Sequence, residues 1–282
     1  MSSTPFSALS DPGSGVAAAP GQGQSDTVFG PPLTLGGVTL RMAAPQDVPA
    51  LARLRARAFR GDDSAPDCDG QDAAAWHLWL GPETGAEANP LATARATLHT
   101  TPESLLGGYC AQSYNLSALS MLPGPVLEVG RLCLDPDLAA NQAQRADLFR
   151  LLWAGLARLV LRHNVHRLIG CTSFATTDPE TIQPALGVLA ARHLGPAQLQ
   201  PGKKAAETAD LPAPPNDVTL AALQTIPPLL RAYLAWGGWV SDHLVIDRDL
   251  GTCHVFTCVD VATMPDARKR VLARLAHIGE AI

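Results

Sequence analysis

The segment from residue 126 to residue 172 constrains the fold more than any other part of this 282-residue chain. It begins with a nearly uncharged apolar run, Val126–Leu134, continues with apolar residues at helical spacing from Leu148 to Val160, and ends with a second apolar run at 167–172. Strand, helix and strand in this order predict a right-handed crossover onto a parallel or mixed sheet. The pattern therefore favours an α/β or α+β fold, with helices flanking a mixed β-sheet.

Patterns elsewhere in the chain extend this sheet. Alternating or continuous apolar residues predict four further strands, at 38–42, 77–80, 91–98 and 255–261. Helical spacing of apolar residues predicts four further helices, at 48–59, 180–191, 228–234 and 266–277. Residues 1–33 are rich in Ser, Gly, Pro, Ala and Gln without a period, which predicts a disordered tail. No clean boundary divides the rest, so we expect a single domain from residue 34 to residue 282.

Charge and composition exclude several classes of function. The net charge of −5 offers no basic face to nucleic acid, so no nucleic-acid partner is expected. No apolar run approaches the roughly 20 residues that span a bilayer, and the first residues lack the pattern of a secretory signal. The six cysteines contain no C-x-x-C pair, which indicates reduced thiols and no metal site. These features predict a cytoplasmic protein.

Glu128 and Arg131 are the two charged residues of the first core strand. In a regular strand, residues three apart point to opposite faces, so these two share a site only if the strand is bulged. Gly130 between them is a suitable position for a bulge. The alternative interpretation is an ordinary surface or cross-strand ion pair.

Polar residues also follow the second core strand, in G-C-T-S-F-A-T-T-D-P at 170–179. Ser173 and Asp178 belong to this strand-end cluster, which is often functional in α/β sheets. The T-D-P sequence also makes a good turn and helix cap, which is the structural alternative.

An acidic loop, D-C-D-G-Q-D at 67–72, precedes His77 and carries Asp69 and Asp72. Two carboxylates three residues apart suit an ammonium group, because charge attraction strengthens in a partly closed site. A solvated acidic loop is the alternative. A calcium loop is disfavoured because the closing Glu of an EF-hand is missing.

Two arginines are further candidates for binding a ligand. Arg55 lies four residues before Phe59, so both lie on one side of the first predicted helix. Arg95 lies in a predicted strand, and its guanidinium can hold a carboxylate in a bidentate fork. Structural ion pairs are the alternative for both arginines.

Together these motifs resemble the ornithine N-acyltransferases of bacterial aminolipid synthesis, a branch of the GNAT superfamily related to the acyl-homoserine-lactone synthases. The resemblance covers about residues 38–262 and is most specific at E-V-G-R-L-C-L-D-P (128–136) and at 170–179. It includes the R-x-x-x-F of the first helix and Asp247 within W-V-S-D-H-L-V-I-D-R-D-L. The chain departs from the family at Gln71, which replaces an aromatic residue, and at Trp76, which replaces an Asp.

This resemblance implies a GNAT-like sheet whose bulged central strands splay apart and hold an acyl-carrying arm. The implied reaction moves a 3-hydroxyacyl group from acyl carrier protein, where it is a phosphopantetheine thioester, to the α-amine of L-ornithine. No permanently bound cofactor is implied. Residues 137–144 lack the Gly-rich phosphate cradle of enzymes that use coenzyme A, which fits a carrier-protein donor. The lyso-ornithine lipid product, made in the first step of ornithine lipid biosynthesis, suggests peripheral contact with the inner membrane.

The resemblance also implies roles for individual residues. Glu128 is expected to be the general base, and Arg131 with Arg55 to bind the substrate carboxylate or to steady the donor. Backbone N–H groups near Leu132, Cys133 and Leu134 are expected to polarise the thioester carbonyl. The other residues expected to bind substrate are Phe59, Asp69, Asp72, His77, Arg95, Ser173, Asp178 and Asp247.

Three alternatives remain open at this stage. The acceptor could be another amino acid such as glutamine, lysine or glycine, because acceptor choice rests on side-chain contacts. An acyl-homoserine-lactone synthase would use the same donor with S-adenosylmethionine. A non-catalytic protein that binds acyl groups or amino acids on this scaffold is the third reading, and an assay for product with acyl carrier protein distinguishes it from an enzyme.

Overall fold

In the computed structural model of the protein, residues 25–82 and 89–278 are described. Their strands are β1 (Leu33–Leu35), β2 (Val38–Met42), β3 (Trp76–Gly81), β4 (Ala92–His99), β5 (Tyr114–Asn115), β6 (Val126–Leu134), β7 (Arg167–Phe174), β8 (Gly202–Lys203), β9 (Thr208–Asp210), β10 (Trp239–Asp247) and β11 (Thr252–Asp260). A nine-stranded sheet has the order β1-β2-β3-β4-β6-β7-β11-β10-β9, and β5 pairs separately with β8. The β6–β7 pair is parallel and the other pairs of the large sheet are antiparallel.

Helices cover both faces of this sheet. They are α1 (Ser25–Val28), α2 (Val48–Arg60), α3 (Pro102–Leu106), α4 (Cys110–Ser113), α5 (Ser117–Ser120), α6 (Gln142–Arg162), α7 (Gln183–Arg192), α8 (Leu220–Gln224), α9 (Pro228–Ala235) and α10 (Asp266–Leu275). The predicted mixed sheet flanked by helices is confirmed. Among the described residues, no helix combines the length and apolar content that crossing a bilayer requires.

Helix α6 is the crossover between the parallel strands β6 and β7. Its apolar stripe, which includes Leu148, Leu152, Leu156 and Leu159, is at most 1% exposed and packs against the sheet in the main core. Burying each of these leucines contributes about 1.5–3 kcal/mol. The predicted strand–helix–strand unit therefore supplies the centre of the fold.

The two faces of the sheet carry different cores. Leu168 packs in the main core under α6, whereas the next residue, Ile169, packs in a second core with Tyr114 and Leu116. Successive side chains of a strand point to opposite faces, so this second core lies on the other side of the sheet. The short helices α3 to α5 cover that side, and they also carry part of the candidate site.

Part of the segment that was predicted to be a disordered tail packs in the core. Phe29 and Leu33 are 1% and 0% exposed and pack in the main core. Arg158 of α6 lies over the Phe29 ring and donates a hydrogen bond to Pro31 O at 2.6 Å. Residues 25–33 of the predicted disordered tail are thus held against α6, because two large apolar side chains outweigh the polar composition around them. Residues 1–24 lie outside the described residues.

Strand β6 contains the bulge that the spacing of its charged residues predicts. Arg95 of β4 pairs with Gly130, whereas Thr93 pairs with Cys133, so β6 holds one extra residue between these pairs. Arg131 within the bulge has φ of +50°, in the left-handed region that non-glycine residues rarely occupy. The bulge turns the Arg131 side chain toward the acidic loop at 67–72.

Strands β6 and β7 separate soon after they meet. They pair only between residues 126–128 and residues 167–169, and the remainder of both strands forms the edges of a gap. Gly170 lies where they diverge, and a Cβ atom there would be 2.5 Å from Val129 O. This approach of the two backbones therefore requires glycine. The predicted splay of the central strands is confirmed.

Candidate active site

The gap between β6 and β7 opens into a cavity of about 370 Å³. Small-molecule sites generally occupy roughly 300–1,000 Å³. The cavity wall also includes parts of α2, α9, β11 and the turn between β10 and β11. Five of the predicted site residues line it: Phe59, Arg131, Leu132, Ser173 and Asp247.

Arg131 is a positively charged residue in the cavity wall. Its Nε donates to Asp67 at 2.9 Å, Nη1 to the Tyr109 hydroxyl at 3.1 Å and Nη2 to Asp69 at 3.2 Å. Burial opposes its charge, but Tyr109 and these carboxylates outweigh burial and raise the pKa of Arg131. A guanidinium has five N–H groups, so two N–H groups of Arg131 take no part in these three bonds.

The carboxylates of the acidic loop are bonded to two further arginines. Arg55 of α2 makes a bidentate pair with Asp72 at 2.9 and 2.8 Å and lies 3.3 Å from Asp67. Arg95 of β4 donates to Asp69 at 2.5 Å and to Asp72 at 3.0 Å. Burial opposes the charge on Asp72, but its hydrogen bond with Arg55 holds the pKa of Asp72 well below its usual range. The loop therefore forms a buried ion-pair network, in which Asp67 and Asp69 hold the Arg131 side chain.

This network contains four of the residues predicted to bind substrate, and those roles stay predictions. Asp69 and Asp72 were expected to bind an ammonium group, but their charges are already compensated by arginines. Arg55 and Arg95 are 1% and 3% exposed and lie behind the cavity wall, so a substrate carboxylate in the cavity does not reach them. In this structure the two aspartates are therefore paired with arginines of the same chain.

His77 packs against the same loop. Its Nε2 lies 3.0 Å from the backbone oxygen of Asp72, and the side chain is buried outside the cavity wall. Burial lowers the pKa of His77, which favours the neutral ring. The observed contact of His77 fixes the end of the acidic loop, and its role in binding substrate stays a prediction.

Glu128 is buried behind the cavity wall, on the side of the sheet covered by α4. Its Oε1 accepts from Cys110 N at 2.5 Å, and its Oε2 accepts from Tyr109 N and lies 3.0 Å from His99 Nε2. His99 is in turn 2.8 Å from the Ser104 hydroxyl. Burial opposes the charge on Glu128, but its hydrogen bonds with His99 and Cys110 hold the pKa of Glu128 below its usual value.

These contacts do not suit the expected general base. A base must lie within hydrogen-bond reach of the proton that it removes, directly or through one water. Glu128 is 5% exposed, does not line the cavity and has both carboxylate oxygens engaged. In this arrangement Glu128 holds the N-terminal end of α4 and the backbone of Tyr109, and its role as general base stays a prediction.

The three residues expected to polarise a carbonyl lie in different surroundings. Leu132 lines the cavity next to the bulge, whereas Cys133 is buried and Leu134 packs against the main core. Burial raises the pKa of the Cys133 thiol to about 12. Only the Leu132 end of this segment therefore reaches the cavity, because the strand turns back to pair with β4 after the bulge.

The polar residues at the strand ends lie in two different places, inside and outside the cavity wall. Ser173 and Asp247 reach the cavity, and Asp247 Oδ1 accepts from Leu250 N at 3.0 Å. Asp178 is exposed outside the cavity wall and accepts from Glu180 N at 3.0 Å. Asp178 therefore caps its own turn, which is the structural alternative that T-D-P allowed.

Sequence reasoning missed Tyr109, Cys171 and His254, which all line the cavity. Tyr109 bridges the site, because its backbone N–H binds Glu128 and its hydroxyl binds Arg131. The alternation in β11 was visible in the sequence, but the strand register that faces His254 toward Cys171 was not. Within residues 25–82 and 89–278, no group of three or more His, Cys, Asp or Glu side chains is arranged to hold a metal ion.

Comparison with known proteins shows what this chain resembles in sequence. Residues 54–154 match the family described as acetyltransferase (GNAT) domain. A Rhodobacter capsulatus protein named L-ornithine N(alpha)-acyltransferase is 33% identical over 166 residues, which cover 59% of this chain and 62% of the relative. A Brucella abortus protein of the same name is 29% identical over 184 residues, which cover 60% of each chain. The chain thus spans about three fifths of the length of these relatives, and the resemblance predicted from its motifs is confirmed.

A solved structure of a CoA-dependent acyl-homoserine lactone synthase, with S-adenosylmethionine and isopentyl-CoA, is also similar. It is 11% identical, and the match covers 84% of this chain and 85% of that chain with a TM-score of 0.43.

Proposed function

We propose that this chain is an N-acyltransferase that moves a 3-hydroxyacyl group from a thioester on acyl carrier protein to the α-amine of L-ornithine. Similarity to proteins named L-ornithine N(alpha)-acyltransferase supports the reaction type and the acceptor. The observation that carries the proposal is the cavity between β6 and β7, whose wall combines a cation, an anion and apolar surface.

The cation and the anion fit the acceptor. Arg131 keeps two N–H groups for a carboxylate, and Asp247 offers a carboxylate to the side-chain ammonium. Ornithine carries both of these charged groups, whereas glutamine lacks the second cation. We therefore favour a cationic amino acid held between Arg131 and Asp247.

The apolar part of the wall fits the acyl group. Phe59, Leu132, Leu229 and Tyr233 line the cavity from α2, β6 and α9. Each methylene that leaves water in such surroundings contributes about 0.8 kcal/mol to binding. A backbone N–H near Leu132 would polarise the thioester carbonyl, because the bulge leaves this part of β6 facing the gap.

A mass-spectrometric acyl-transfer assay tests the reaction. The protein receives 3-hydroxyacyl carrier protein together with ornithine, glutamine, lysine, glycine and S-adenosylmethionine in competition. We expect N-acylornithine as the main product. An acyl-homoserine lactone as the main product would contradict the acceptor, and folded protein that gives no product with any acceptor would contradict the enzyme.

Asp247→Asn tests the proposed ammonium contact. A hydrogen bond to a charged group contributes about 1.5–3 kcal/mol, so the KM for ornithine should rise roughly 10- to 100-fold. Asp249→Asn is a matched control, because Asp249 is 76% exposed and pairs with Arg60 at 2.8 Å outside the cavity. An unchanged KM for ornithine in Asp247→Asn would refute the contact.

A further inference from the structure

Two thiols are in contact where the cavity meets the second core. Cys171 of β7 is partly exposed and lines the cavity, whereas Cys110, the first residue of α4, is 1% exposed and packs in the second core. Their Sγ atoms lie 3.5 Å apart. None of the contacts proposed above for the donor or the acceptor uses this pair.

The backbone around Cys171 is fixed more firmly than the backbone around Cys110. Strand β7 pairs with β11 at every residue from Arg167 to Phe174. Helix α4 has only four residues, Cys110–Ser113, so few backbone hydrogen bonds hold it. Since the two sulfurs of a disulfide are about 2.05 Å apart, an S–S bond requires these sulfurs to approach each other by about 1.5 Å. We expect α4 to make most of this movement.

A movement of Cys110 reaches the charged part of the cavity through Tyr109. The N–H groups of both residues donate to Glu128, at 2.5 Å from Cys110 and at 3.0 Å from Tyr109. The Tyr109 hydroxyl is 3.1 Å from Arg131 Nη1, and the Arg131 guanidinium lies 5.0 Å from the centroid of the Tyr109 ring. Pulling Cys110 toward β7 therefore weakens these bonds and displaces one of the groups that hold Arg131.

The two thiols are suited to different steps of an oxidation. Cys171 is accessible to small molecules that enter the cavity, whereas Cys110 is buried behind it. The hydrogen bond with Cys110 lowers the pKa of Cys171 against the effect of burial, which increases its thiolate fraction. Burial raises the pKa of Cys110, which keeps this residue a thiol. An accessible thiolate beside a second thiol is the usual arrangement of a redox-sensitive cysteine pair.

We propose that Cys110 and Cys171 form an oxidation site, at which a hydroperoxide joins the two thiols in a reversible disulfide that displaces Tyr109. The contact between the two sulfurs and the opening of the cavity onto one of them carry this inference. A lower rate of acyl transfer follows from the displacement of Tyr109 beside Arg131, and this consequence rests on the proposed function. The disulfide itself does not rest on it.

The oxidation has two balanced steps. In the first, the Cys171 sulfur attacks one oxygen of hydrogen peroxide, an S–O bond forms as the O–O bond breaks, and the departing hydroxide takes the proton that Cys171 has lost. In the second, the Cys110 sulfur attacks the sulfenic sulfur, an S–S bond forms as the S–O bond breaks, and the departing hydroxide takes the Cys110 proton. Two thiols and one peroxide thus give one disulfide and two waters, as two electrons pass from sulfur to oxygen. A dithiol such as dithiothreitol reverses the reaction by exchange.

Mass spectrometry tests the disulfide directly. The full chain is treated with a small excess of hydrogen peroxide, and its remaining thiols are alkylated in denaturant. Of the six cysteines, we expect four to be alkylated and Cys110 and Cys171 to be joined in one disulfide-linked peptide pair. Dithiothreitol should return both residues to the alkylated fraction. Recovery of both as free thiols, under conditions that oxidise the exposed Cys68, would overturn the inference.

Two variants sharpen this test. Cys110→Ala should form no disulfide and should leave Cys171 as a sulfenic acid, which dimedone labels. Cys68→Ala is the control, because Cys68 is an exposed thiol outside the cavity wall, and the disulfide should form in this variant as it does in the wild-type protein. Thermal unfolding of each variant verifies that it is folded. A disulfide that joins Cys171 to another cysteine in the wild-type protein would contradict the pairing.

Hydrogen exchange measures the displacement of Tyr109 without any substrate. Glu128 holds the amides of Tyr109 and Cys110 in the reduced protein, so peptides that contain them should exchange faster after oxidation. The acyl-transfer assay measures the consequence for the reaction. Turnover should fall roughly 10-fold or more, the usual effect of losing one hydrogen bond to a charged group, and dithiothreitol should restore it.

The outcomes separate this inference from the proposed function. If the protein makes N-acylornithine but peroxide forms no disulfide, or forms one without faster exchange at Tyr109, the inference fails while the proposed function stands. If the disulfide forms and this exchange becomes faster, but the reduced protein converts none of the acceptors to an amide, the inference stands and the proposed function fails.

Discussion

Replacing Glu128 by glutamine distinguishes a residue that holds α4 in place from a general base. The carboxylate accepts two backbone N–H groups, from Tyr109 and Cys110, and lies 3.0 Å from His99 Nε2. Glutamine has nearly the same shape but keeps only one acceptor oxygen, and its other terminal atom becomes an NH₂ donor. At least one backbone N–H must then face another donor inside the protein.

The structure gives the size of the effect. If Oε1 becomes the amide nitrogen, the N–H of Cys110 loses its acceptor, and the remaining contacts lose the carboxylate charge. If Oε2 changes, Tyr109 N loses its acceptor and His99 must switch tautomer. Since one buried bond to a charged group contributes about 1.5–3 kcal/mol, Glu128→Gln should lower the free energy of unfolding by about 2–4 kcal/mol.

Chemical denaturation and steady-state kinetics at low temperature measure the two consequences separately. We expect a lower denaturation midpoint, while the folded fraction keeps turnover and an unchanged pH–rate profile. Glu103→Gln is the matched control, because Glu103 is exposed in α3 and its replacement should change stability by less than about 0.5 kcal/mol. Wild-type stability combined with a turnover loss of 10³-fold or more would show that Glu128 is the base and would refute this reasoning.

Two further predictions concern the strand gap and the ion-pair network. Gly170→Ala should destabilise the protein and reduce turnover, because the new Cβ would lie 2.5 Å from Val129 O. Gly130→Ala is the control and should be tolerated, because no atom lies within 4 Å of its new Cβ. Equal melting temperatures of the two variants would contradict this reasoning. The pKa of Asp72 is lowered in the folded state, so its stabilisation is present above its unfolded pKa of about 3.9 and is lost as pH falls through the folded value. Asp72→Asn should therefore lower the free energy of unfolding by about 3–5 kcal/mol at neutral pH and make this free energy depend less on pH in the acid range. An unchanged dependence of stability on pH would exclude a role of the network in stability.

Much of the fold follows from local patterns in the sequence. Continuous apolar runs give strands β6 and β7, and the spacing from Leu148 to Val160 gives α6. Most of β6 and β7 and one face of α6 are buried, so local pattern and tertiary packing agree. The N-terminal segment is different, because Phe29 is a single aromatic residue with no apolar period around it. Its place in the core depends on packing against α6, which the local sequence does not show.

The site is less predictable, because its contacts join distant parts of the chain. The bulge near Gly130 was predicted from the sequence, and Phe59 and Asp247, which were predicted to bind substrate, line the cavity. It could not indicate that arginines from α2 and β4 meet the acidic loop, since charge pairing over such separations depends on sheet order. For the same reason Cys171 and His254, on neighbouring strands but far apart in sequence, carried no visible signal.

The gap in the sheet also bears on how the protein avoids aggregation. Unpaired strand edges normally offer a template on which another chain can add a strand. Here, in the part of the chain that the structure describes, the separated edges of β6 and β7 face each other within one molecule, with Phe59, Tyr233 and Leu250 on the surrounding wall. The gap therefore differs from an exposed sheet edge, because side chains of the same molecule surround its two strand edges.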